Sequence, residues 1–393
     1  MPQPAVRVAA IDQLRALTML LMIIVNDLWS LKGIPGWLEH VPADADGMGL
    51  ADVVFPGFLF IVGMSVPFAV GNRRQKGENR WQISYHIAER GVALLVMGLF
   101  LVNGEYINEL ATGFQRGWWN ILACTGFILI WNKYPSTWSR PLVYTLKIAG
   151  ALTLLTLAIC YRGGEDNAIS YFNTWWWGIL GLIGWAYLLS SLLYVWCNGN
   201  PAWLFAGWLA SILLCAANHS GFLPGEAWWR KFISPIGEGA MTGFTIGGAF
   251  AAEIFRRRSA SAKNWYASFA GAAIVLLAIG FATRPLWGIS KIRATPSWVM
   301  ICSAIMLLAF IFMYRLAENR RSGWYEIIRP AGTETLLCYL IPYYCYGIVQ
   351  LAQWWLPDPL LTGWIGIFKS VLFAIIVIQA AGLLSKKLIR LRL

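Results

Sequence analysis

The sequence has few charged residues for its length, and this scarcity decides its class. Only 13% of the 393 residues are charged, whereas 58% are apolar and the mean hydropathy is +0.57. A soluble chain of this size cannot bury so much apolar surface, and it would not stay dissolved with so few charges. The composition therefore excludes an ordinary cytosolic enzyme, a disulfide-rich secreted scaffold and a disordered chain. It predicts an integral membrane protein.

Histidine is scarce as well, and cysteine pairs with close spacing are absent. The three histidines, His40, His86 and His219, are scattered and have no carboxylate-rich spacing around them, so we predict no metal site. The seven cysteines form no C-x-x-C pair and lie in or beside apolar runs, which is typical of free thiols. No P-loop, nucleophile elbow or dinucleotide fingerprint is present.

The net charge of +12 could suggest a nucleic-acid partner, but its distribution points elsewhere. Lys and Arg fall in short clusters between apolar runs: Arg73, Arg74, Lys76, Arg80; Arg256, Arg257, Arg258, Lys263; Arg315, Arg320, Arg321, Arg329; Lys386, Lys387, Arg390, Arg392. Clusters of this kind fix membrane topology and contact anionic head groups. We therefore expect the lipid bilayer, and no nucleic acid, as a partner.

Apolar runs of about 20 residues indicate membrane-spanning helices. Twelve runs qualify: 14–31, 50–70, 86–103, 119–132, 141–161, 176–197, 201–217, 238–255, 265–283, 297–316, 332–354 and 363–385. The fold class is therefore all-α, a polytopic membrane protein of about twelve helices. The first run begins with Asp12 and Arg15 and has no small-residue cleavage site after it, so we expect it to remain as a helix.

The distribution of basic residues predicts the orientation. With both termini in the cytoplasm, the inner loops hold twenty basic residues and the outer loops hold eight, while three fall within spans. This surplus agrees with the positive-inside rule. An odd number of helices would reverse the later loops and remove the surplus, so we predict an even number.

Polar residues inside spans are costly and mark candidate functional positions. In the first helix, Asp12, Arg15 and Asn26 are separated by steps of three and eleven residues, which places all three on one helix face. That face must point into the protein. Asp12 and Arg15 are either a local ion pair at the helix entrance or part of a site, and the sequence alone leaves both interpretations open.

The first outer loop contains His40, and Asp52 follows at the start of the second helix. Pro56 lies four residues after Asp52 and cannot donate to the Asp52 carbonyl, because proline has no backbone N–H. We therefore expect the second helix to be opened at its outer end, with a free carbonyl and a carboxylate near His40. Irregular backbone at membrane depth is tolerated mainly where it lines a cavity.

These residues form a pattern that resembles the heparan-α-glucosaminide N-acetyltransferase family of transmembrane acyltransferases. The resemblance rests on residues 11–16 (IDQLRA), 22–26 (MIIVN), His40, 50–63 (LADVVFPGFLFIVG), 289–291 (ISK) and 295–298 (TPSW), with a weaker match from 178 to 187. It implies one domain over residues 1–393, with a motif core at 8–70 and an additional helix pair at 119–161. It also implies a location in a bacterial inner membrane.

The resemblance further implies acetyl-CoA as donor on the cytoplasmic side and a sugar amine or hydroxyl as acceptor on the opposite side. His40 would be the catalytic histidine, with Asn26 and Asp52 near it. Lys291 would be a further site residue, and we place Ser290 with it in contact with substrate or acetyl-CoA, as we do Asp12 and Arg15. A second copy of the chain is a candidate partner.

The chemistry of acetyl transfer suits these residue types. Histidine can take a proton from the acceptor near neutral pH, or it can carry the acetyl group itself, and the sequence does not distinguish the two. Asp52 could hold the imidazole tautomer, while Asn26 or Lys291 could donate to the oxyanion. The donor must reach an outer histidine, so we expect a cavity that opens to the cytoplasm with Arg15 at its mouth.

Two other functions remain open from the residues. Twelve helices with both ends inside also describe many secondary transporters and flippases, although His40, Asp52 and the Phe-Pro run have no counterpart in the second half of the chain. A non-catalytic scaffold is the third interpretation.

Overall fold

A computed structural model describes residues 9–165, 168–223, 235–258, 264–318, 323–387 and 389–391. Within these ranges the chain forms thirteen helices of eleven residues or more: α1 Ala9–Asp27, α2 Leu50–Gln75, α3 Arg80–Glu105, α4 Arg116–Trp131, α5 Arg140–Cys160, α6 Ile179–Trp196, α7 Pro201–His219, α8 Ala240–Arg258, α9 Asn264–Trp287, α10 Pro296–Glu318, α11 Gly323–Thr333, α12 Thr335–Ala352 and α13 Gly363–Lys387. Each of the twelve apolar runs found in the sequence coincides with one of them.

Ten of these helices, counted over the described residues, are long and apolar enough to cross a membrane. Helix α4 has 16 residues and falls below the usual spanning length. Helix α8 has 19 residues but carries Glu253 and the Arg256–Arg258 cluster, which lower its apolar character. The protein is therefore an all-helical, multi-pass membrane protein.

Local sequence signals explain where several helices begin. Asn79 caps α3, because its side chain accepts hydrogen bonds from the backbone amides of Trp81 and Gln82, and the Gln82 side chain accepts from the Asn79 amide. Helix α7 starts with Pro201, directly after Asn200, whose side chain accepts from Ala202 N.

Contacts between loops define two ends of the helix bundle. At the end where α2 finishes, Arg74 donates to the Val195 carbonyl at the end of α6. At the opposite end, the amide of Gly47, before α2, donates to the Ile289 carbonyl, between α9 and α10. We call these the inner and the outer end, after the orientation that the basic residues predict.

Helix α1 lies at the centre of the bundle, where it packs against α2, α10, α11, α12 and α13. The surfaces of α5, α7 and α9 are mostly exposed, as expected for helices that face lipid. Helix α5 packs on α4, and α4 also packs on α3 and α12, so the 119–161 region is joined to the rest of the bundle through α4.

Helices α2 and α8 approach each other closely through glycine. A Cβ atom on Gly63 would lie 1.9 Å from the Thr245 carbonyl oxygen, and one on Gly248 would lie 2.0 Å from the Phe60 carbonyl oxygen. Small residues at such crossings let helix backbones meet in a membrane, where no hydrophobic effect drives helices together. This contact fixes the helix that carries Asp52 against the rest of the protein.

Candidate functional site

His40, Asp52 and Lys291 come together at the outer end of the bundle. The distance from His40 Nδ1 to Asp52 Oδ1 is 2.7 Å. Lys291 Nζ lies 3.2 Å from His40 Nε2 and 3.3 Å from Nδ1. The Asp52 side chain is buried, whereas 43% of the His40 side chain is exposed. The imidazole of His40 is therefore held in place by buried Asp52, and part of the ring remains exposed at the protein surface.

The start of α2 explains why Asp52 is held so firmly. Its Oδ2 atom accepts hydrogen bonds from the amides of Gly49, at 2.9 Å, and Val41, at 3.1 Å. A carboxylate is also favourable in the first turn of a helix, where the helix dipole is positive. Position 49 requires glycine, because a Cβ there would lie 2.1 Å from the Glu39 carbonyl oxygen. The remaining oxygen, Oδ1, points at His40.

The expected opening of α2 at Pro56 is wrong. The helix runs unbroken from Leu50 to Gln75 with Pro56 inside it. The Asp52 carbonyl that proline leaves without a helical donor is not free, because Trp298 Nε1 donates to it at 2.9 Å. An indole from α10 thus replaces the missing N–H, and the helix needs no break.

The turn that carries Lys291 is pinned to the loop that carries His40. Asp46 Oδ1 accepts from the Ile289 amide at 2.7 Å, and Oδ2 accepts from Arg284 Nε at 2.8 Å. The hydrogen bond from Arg284 is the main reason that the pKa of Asp46 lies below its ordinary value. Burial lowers the pKa of Lys291, and nearby Asp52 partly offsets this effect. Lys291 thus loses its proton more readily than an ordinary lysine.

Ser290 forms hydrogen bonds with other residues of the turn that carries Lys291. Its Oγ accepts from the Arg293 amide at 3.3 Å, and its own amide donates to Thr295 Oγ1 at 3.1 Å. The side chain is buried in this turn. Ser290 therefore stabilises the turn that presents Lys291, and its predicted contact with substrate stays a prediction.

A cavity of about 1150 Å³ extends from the inner end into the bundle. Its mouth is lined by five basic residues, Arg15, Arg90, Arg329, Lys386 and Arg390, and by three acidic ones, Asp12, Glu326 and Glu334. Its deep part is apolar and is lined by Met22, Phe58, Leu94, Leu180 and Ile183. A cavity with a polar, net positive mouth and an apolar depth suits a ligand that has an anionic head and a long thin arm.

Arg15 and Asp12 occupy the mouth of this cavity. Arg15 NH1 lies 3.2 Å from Asp12 Oδ1 and 3.3 Å from the Gly332 carbonyl oxygen, and NH2 donates to Ser65 Oγ at 2.5 Å. The local ion pair and the cavity position expected from the sequence therefore coexist. Within the described ranges the Asn26 side chain forms no hydrogen bond, and it lies four residues beyond Met22 on the same stripe of α1.

The cavity ends before it reaches the outer cluster. Asn26, His40, Asp52 and Lys291 do not line it, and Phe58 is the lining residue of α2 nearest to Asp52 in sequence. The two positions are six residues apart in the helix, which is about 9 Å along the axis. Along α2 the cavity extends over about 21 Å, from Phe58 to Asn72.

Comparison with known sequences assigns the chain to a family. The family described as "Domain of unknown function (DUF5009)" matches residues 7–222, more than half of the chain. The chain belongs to this family. The DUF5009 chain is also similar to heparan-alpha-glucosaminide N-acetyltransferase from Homo sapiens, with 32% identity over 101 residues. The same protein from Mus musculus is 31% identical over 101 residues. These matches cover 25% of the DUF5009 chain and 14% of each relative.

The sequence interpretation missed a second polar cluster in the DUF5009 protein, built on Asp27. This buried carboxylate accepts from Tyr346 at 2.9 Å, from Ser370 at 2.6 Å and from Lys369 at 2.5 Å. Lys369 also donates to Ser30 Oγ at 3.2 Å. The signal was a lysine inside an apolar run, since such a charge must be paired. The cluster ties the outer end of α1 to α12 and α13.

The other two histidines of the DUF5009 protein lie away from His40. His86 is near the carboxylates of Glu78 and Glu89 at the inner end, at 3.9 and 3.6 Å. His219 ends α7 and contacts backbone carbonyls of Cys215 and Arg293. All seven cysteines are free thiols. Over the described residues, no group of three His, Cys, Asp or Glu side chains could hold a metal ion.

Proposed function

We propose that this protein is a membrane-bound acyltransferase that moves an acetyl group from cytoplasmic acetyl-CoA to an amino sugar or glycan on the outer, periplasmic side. The observation that carries the proposal is the His40–Asp52 pair at the outer end, joined by Lys291, above a cavity whose positively charged mouth opens at the inner end. The similarity to two heparan-alpha-glucosaminide N-acetyltransferases supports the reaction class. The bilayer would be that of a bacterial inner membrane.

The arrangement fits acetyl-CoA as follows. The nucleotide phosphates would bind among Arg15, Arg329, Lys386 and Arg390 at the mouth, since guanidinium groups bind phosphate with charge-assisted hydrogen bonds. The pantetheine arm would extend along the apolar depth toward Met22 and Phe58. Neither His40 nor Asp52 lines this cavity, so transfer would require a path to open from its apolar depth to His40.

In the general-base route, Asp52 accepts a hydrogen bond from the Nδ1–H of His40, so Nε2, with Lys291 Nζ 3.2 Å away, carries the lone pair. Nε2 takes a proton from the acceptor as the acceptor nitrogen or oxygen attacks the thioester carbon. Lys291 donates to the resulting oxyanion. The C–S bond then breaks, and the CoA thiolate takes the proton from the imidazolium.

In the carrier route, His40 Nε2 itself attacks the thioester carbon and the C–S bond breaks, which leaves an acetyl-imidazole and CoA. The acceptor then attacks the acetyl carbon, the bond from that carbon to Nε2 breaks, and the proton that the acceptor loses passes to the thiolate of the released CoA or to water. Rapid mixing of protein with labelled acetyl-CoA and no acceptor separates the routes, because only the carrier route leaves label on His40.

The decisive experiment is transfer from labelled acetyl-CoA to a panel of amino sugars by purified protein in nanodiscs. His40→Ala should reduce transfer by about 10²–10⁴-fold, the usual contribution of a general base. His86→Ala is the matched control, because it removes a histidine that lies at the inner end. Transfer that survives His40→Ala would overturn the assignment.

The donor site has its own test. Arg15→Ala should weaken acetyl-CoA binding by about tenfold or more, as expected for the loss of a hydrogen bond to a charged group. Arg73→Ala is the control, because Arg73 also lies at the inner end but pairs with Glu78 and does not line the cavity. Unchanged affinity in Arg15→Ala would remove Arg15 from the donor site.

A secondary transporter or flippase for a sugar or lipid-linked substrate is the second candidate, because a cavity that opens at one end is also typical of carriers. Proteoliposomes loaded with sugar distinguish the two functions. A carrier accelerates sugar exchange without acetyl-CoA, whereas the acyltransferase gives acetylated sugar and no exchange.

A further inference from the structure

Residues 389–391, which follow α13, are attached to the loop between α4 and α5. The Arg390 amide donates to Asn132 Oδ1 at 2.8 Å, and the Arg390 carbonyl oxygen accepts from the Lys133 amide at 2.9 Å. Asn132 and Leu391 also form an antiparallel β-bridge. Two segments that are 258 residues apart in sequence thus meet at the wall of the inner cavity, which Arg390 and Leu391 line.

The Arg390 side chain is fixed at one of its three nitrogens. Its Nε donates to the Ser385 carbonyl oxygen at 2.9 Å, in the last turn of α13. A guanidinium has five N–H groups, so four remain on the two Nη atoms. Within the ranges that the structure describes, these four form no hydrogen bond with the protein, and they are left for a ligand in the cavity.

Lys386 and Arg390 differ in charge balance from two other cations at the mouth of the cavity. Arg15 and Arg329 are each paired with the carboxylate three residues before them, at 3.2 and 3.4 Å. In the part of the chain that the structure describes, neither Lys386 nor Arg390 forms an ion pair. A phosphate therefore competes with a carboxylate for Arg15 and Arg329, but not for Lys386 and Arg390.

We propose that Asn132 is a positioning residue for Arg390: its side chain holds residues 389–391 in place, so that the Arg390 guanidinium stays at the mouth and binds the phosphates of the donor. Loss of the Asn132 oxygen removes one of the two backbone hydrogen bonds between Arg390 and the α4–α5 loop. The segment then spends part of its time away from the cavity. The identity of the ligand rests on the proposed function, whereas the attachment does not.

The attachment lies near the protein surface, which separates a role in binding from a role in folding. Arg390 and Lys133 are exposed, and Asn132 is half-buried. Asn132→Leu removes the acceptor oxygen and keeps a side chain of similar size, so the helix bundle should remain folded. Asn132→Asp keeps an acceptor oxygen at the same position and should preserve the attachment.

Amide hydrogen exchange tests the attachment without any ligand. In Asn132→Leu, exchange at the Arg390 amide should be about two- to tenfold faster than in the wild-type protein, the effect of losing one hydrogen bond. Asn132→Asp should exchange at the wild-type rate. Asn200→Leu is the matched control, because the Asn200 side chain also accepts from a backbone amide in an inner loop, but that amide belongs to Ala202.

Binding measurements on purified protein in nanodiscs test the role of Arg390. The two probes are acetyl-CoA and S-acetylpantetheine, which has the same thioester arm but no phosphate. Arg390→Leu should weaken acetyl-CoA binding by about tenfold or more, and Asn132→Leu by about two- to tenfold. Both variants should bind S-acetylpantetheine like the wild-type protein, whereas general damage to the cavity would weaken both probes. Asn132→Asp and Asn200→Leu should keep the wild-type affinity for acetyl-CoA.

A double-mutant cycle decides whether Asn132 acts through Arg390. In the Arg390→Leu background, Asn132→Leu should cause no further loss of acetyl-CoA affinity. An unchanged exchange rate at the Arg390 amide in Asn132→Leu, or fully additive losses of affinity, would overturn the proposal. Equal affinity of Arg390→Leu and the wild-type protein for acetyl-CoA would also overturn it, even if Asn132→Leu folds poorly. A wild-type protein that binds no acetyl-CoA would refute the donor in the proposed function, while the exchange rates would still decide whether Asn132 holds residues 389–391.

Discussion

Replacement of Trp298 by Phe removes one buried hydrogen bond beneath the candidate site and leaves most of the side-chain shape. Trp298 is fully buried, and its indole N–H donates to the Asp52 carbonyl at 2.9 Å. Pro56 provides no N–H to that carbonyl. After the substitution, the carbonyl faces the Cys302 thiol at 4.0 Å. An unsatisfied buried carbonyl costs about 1–3 kcal/mol, so Trp298→Phe should lower the free energy of unfolding by that amount.

A second substitution isolates this hydrogen bond from the other effects of losing the indole. Pro56→Ala restores the backbone N–H that reaches the Asp52 carbonyl from one turn later in α2. In that background Trp298→Phe should cost about 1–2 kcal/mol less than in the wild-type protein. The free energy of unfolding of all four proteins would be measured by SDS titration in mixed micelles, with far-UV circular dichroism as the signal.

The reasoning is refuted if the effects of Trp298→Phe and Pro56→Ala on the free energy of unfolding are additive. If the two substitutions add to within about 0.5 kcal/mol, the indole does not substitute for the helical N–H. Transfer activity offers a second reading, since a displaced start of α2 moves Asp52 relative to His40. The double variant should then recover activity together with stability.

Three further predictions concern packing and charge. Gly63→Ala should abolish stable folding, because its Cβ would lie 1.9 Å from a backbone oxygen of α8. Gly71→Ala on the same helix is the control: its Cβ would meet nothing within 4 Å, so the free energy of unfolding in the SDS titration should not change. The pKa of Asp46 is lowered, so its carboxylate still accepts the hydrogen bond from the Ile289 amide at the ordinary pKa of 3.8 and loses it only as pH falls through the lowered pKa. Hydrogen exchange at the Ile289 amide should therefore accelerate only below about pH 4. The Asp46→Asn variant should lack this acid dependence. Because burial lowers the pKa of Lys291, a membrane-impermeant amine reagent should label it at a lower pH than it labels a lysine peptide with the ordinary pKa of 10.5, and mass spectrometry that finds the reverse order would contradict the assigned environment.

The helices were predictable because apolar runs of spanning length leave little choice of structure in a membrane. Each of the twelve apolar runs coincides with a helix. The pairing of His40 with Asp52 followed from their position around the start of α2 and from the family pattern. These are contacts within about a dozen residues.

Contacts between distant segments explain what sequence reasoning missed. Pro56 was interpreted as a break in α2 because the residues near it in sequence do not show which group would bond the Asp52 carbonyl. That group is the indole of Trp298, which lies far along the chain on α10. Lys369 and Asp27 are likewise far apart in the chain, and only the packing of α1 against α13 makes them a pair. The cavity was expected from the position of Arg15, but its volume and its extent along α2 depend on how the side chains of seven helices fit together.

The apolar end of the inner cavity has a consequence for the cell. Met22 and Phe58 line its apolar depth, Phe58 lies about 9 Å along α2 from Asp52, and among the described residues neither His40 nor Asp52 lines this cavity. Ions and protons face the cost of crossing that apolar layer, whereas an uncharged thioester does not. Under the proposed function, an acetyl group would pass through this apolar layer, which ions cross only at a high cost.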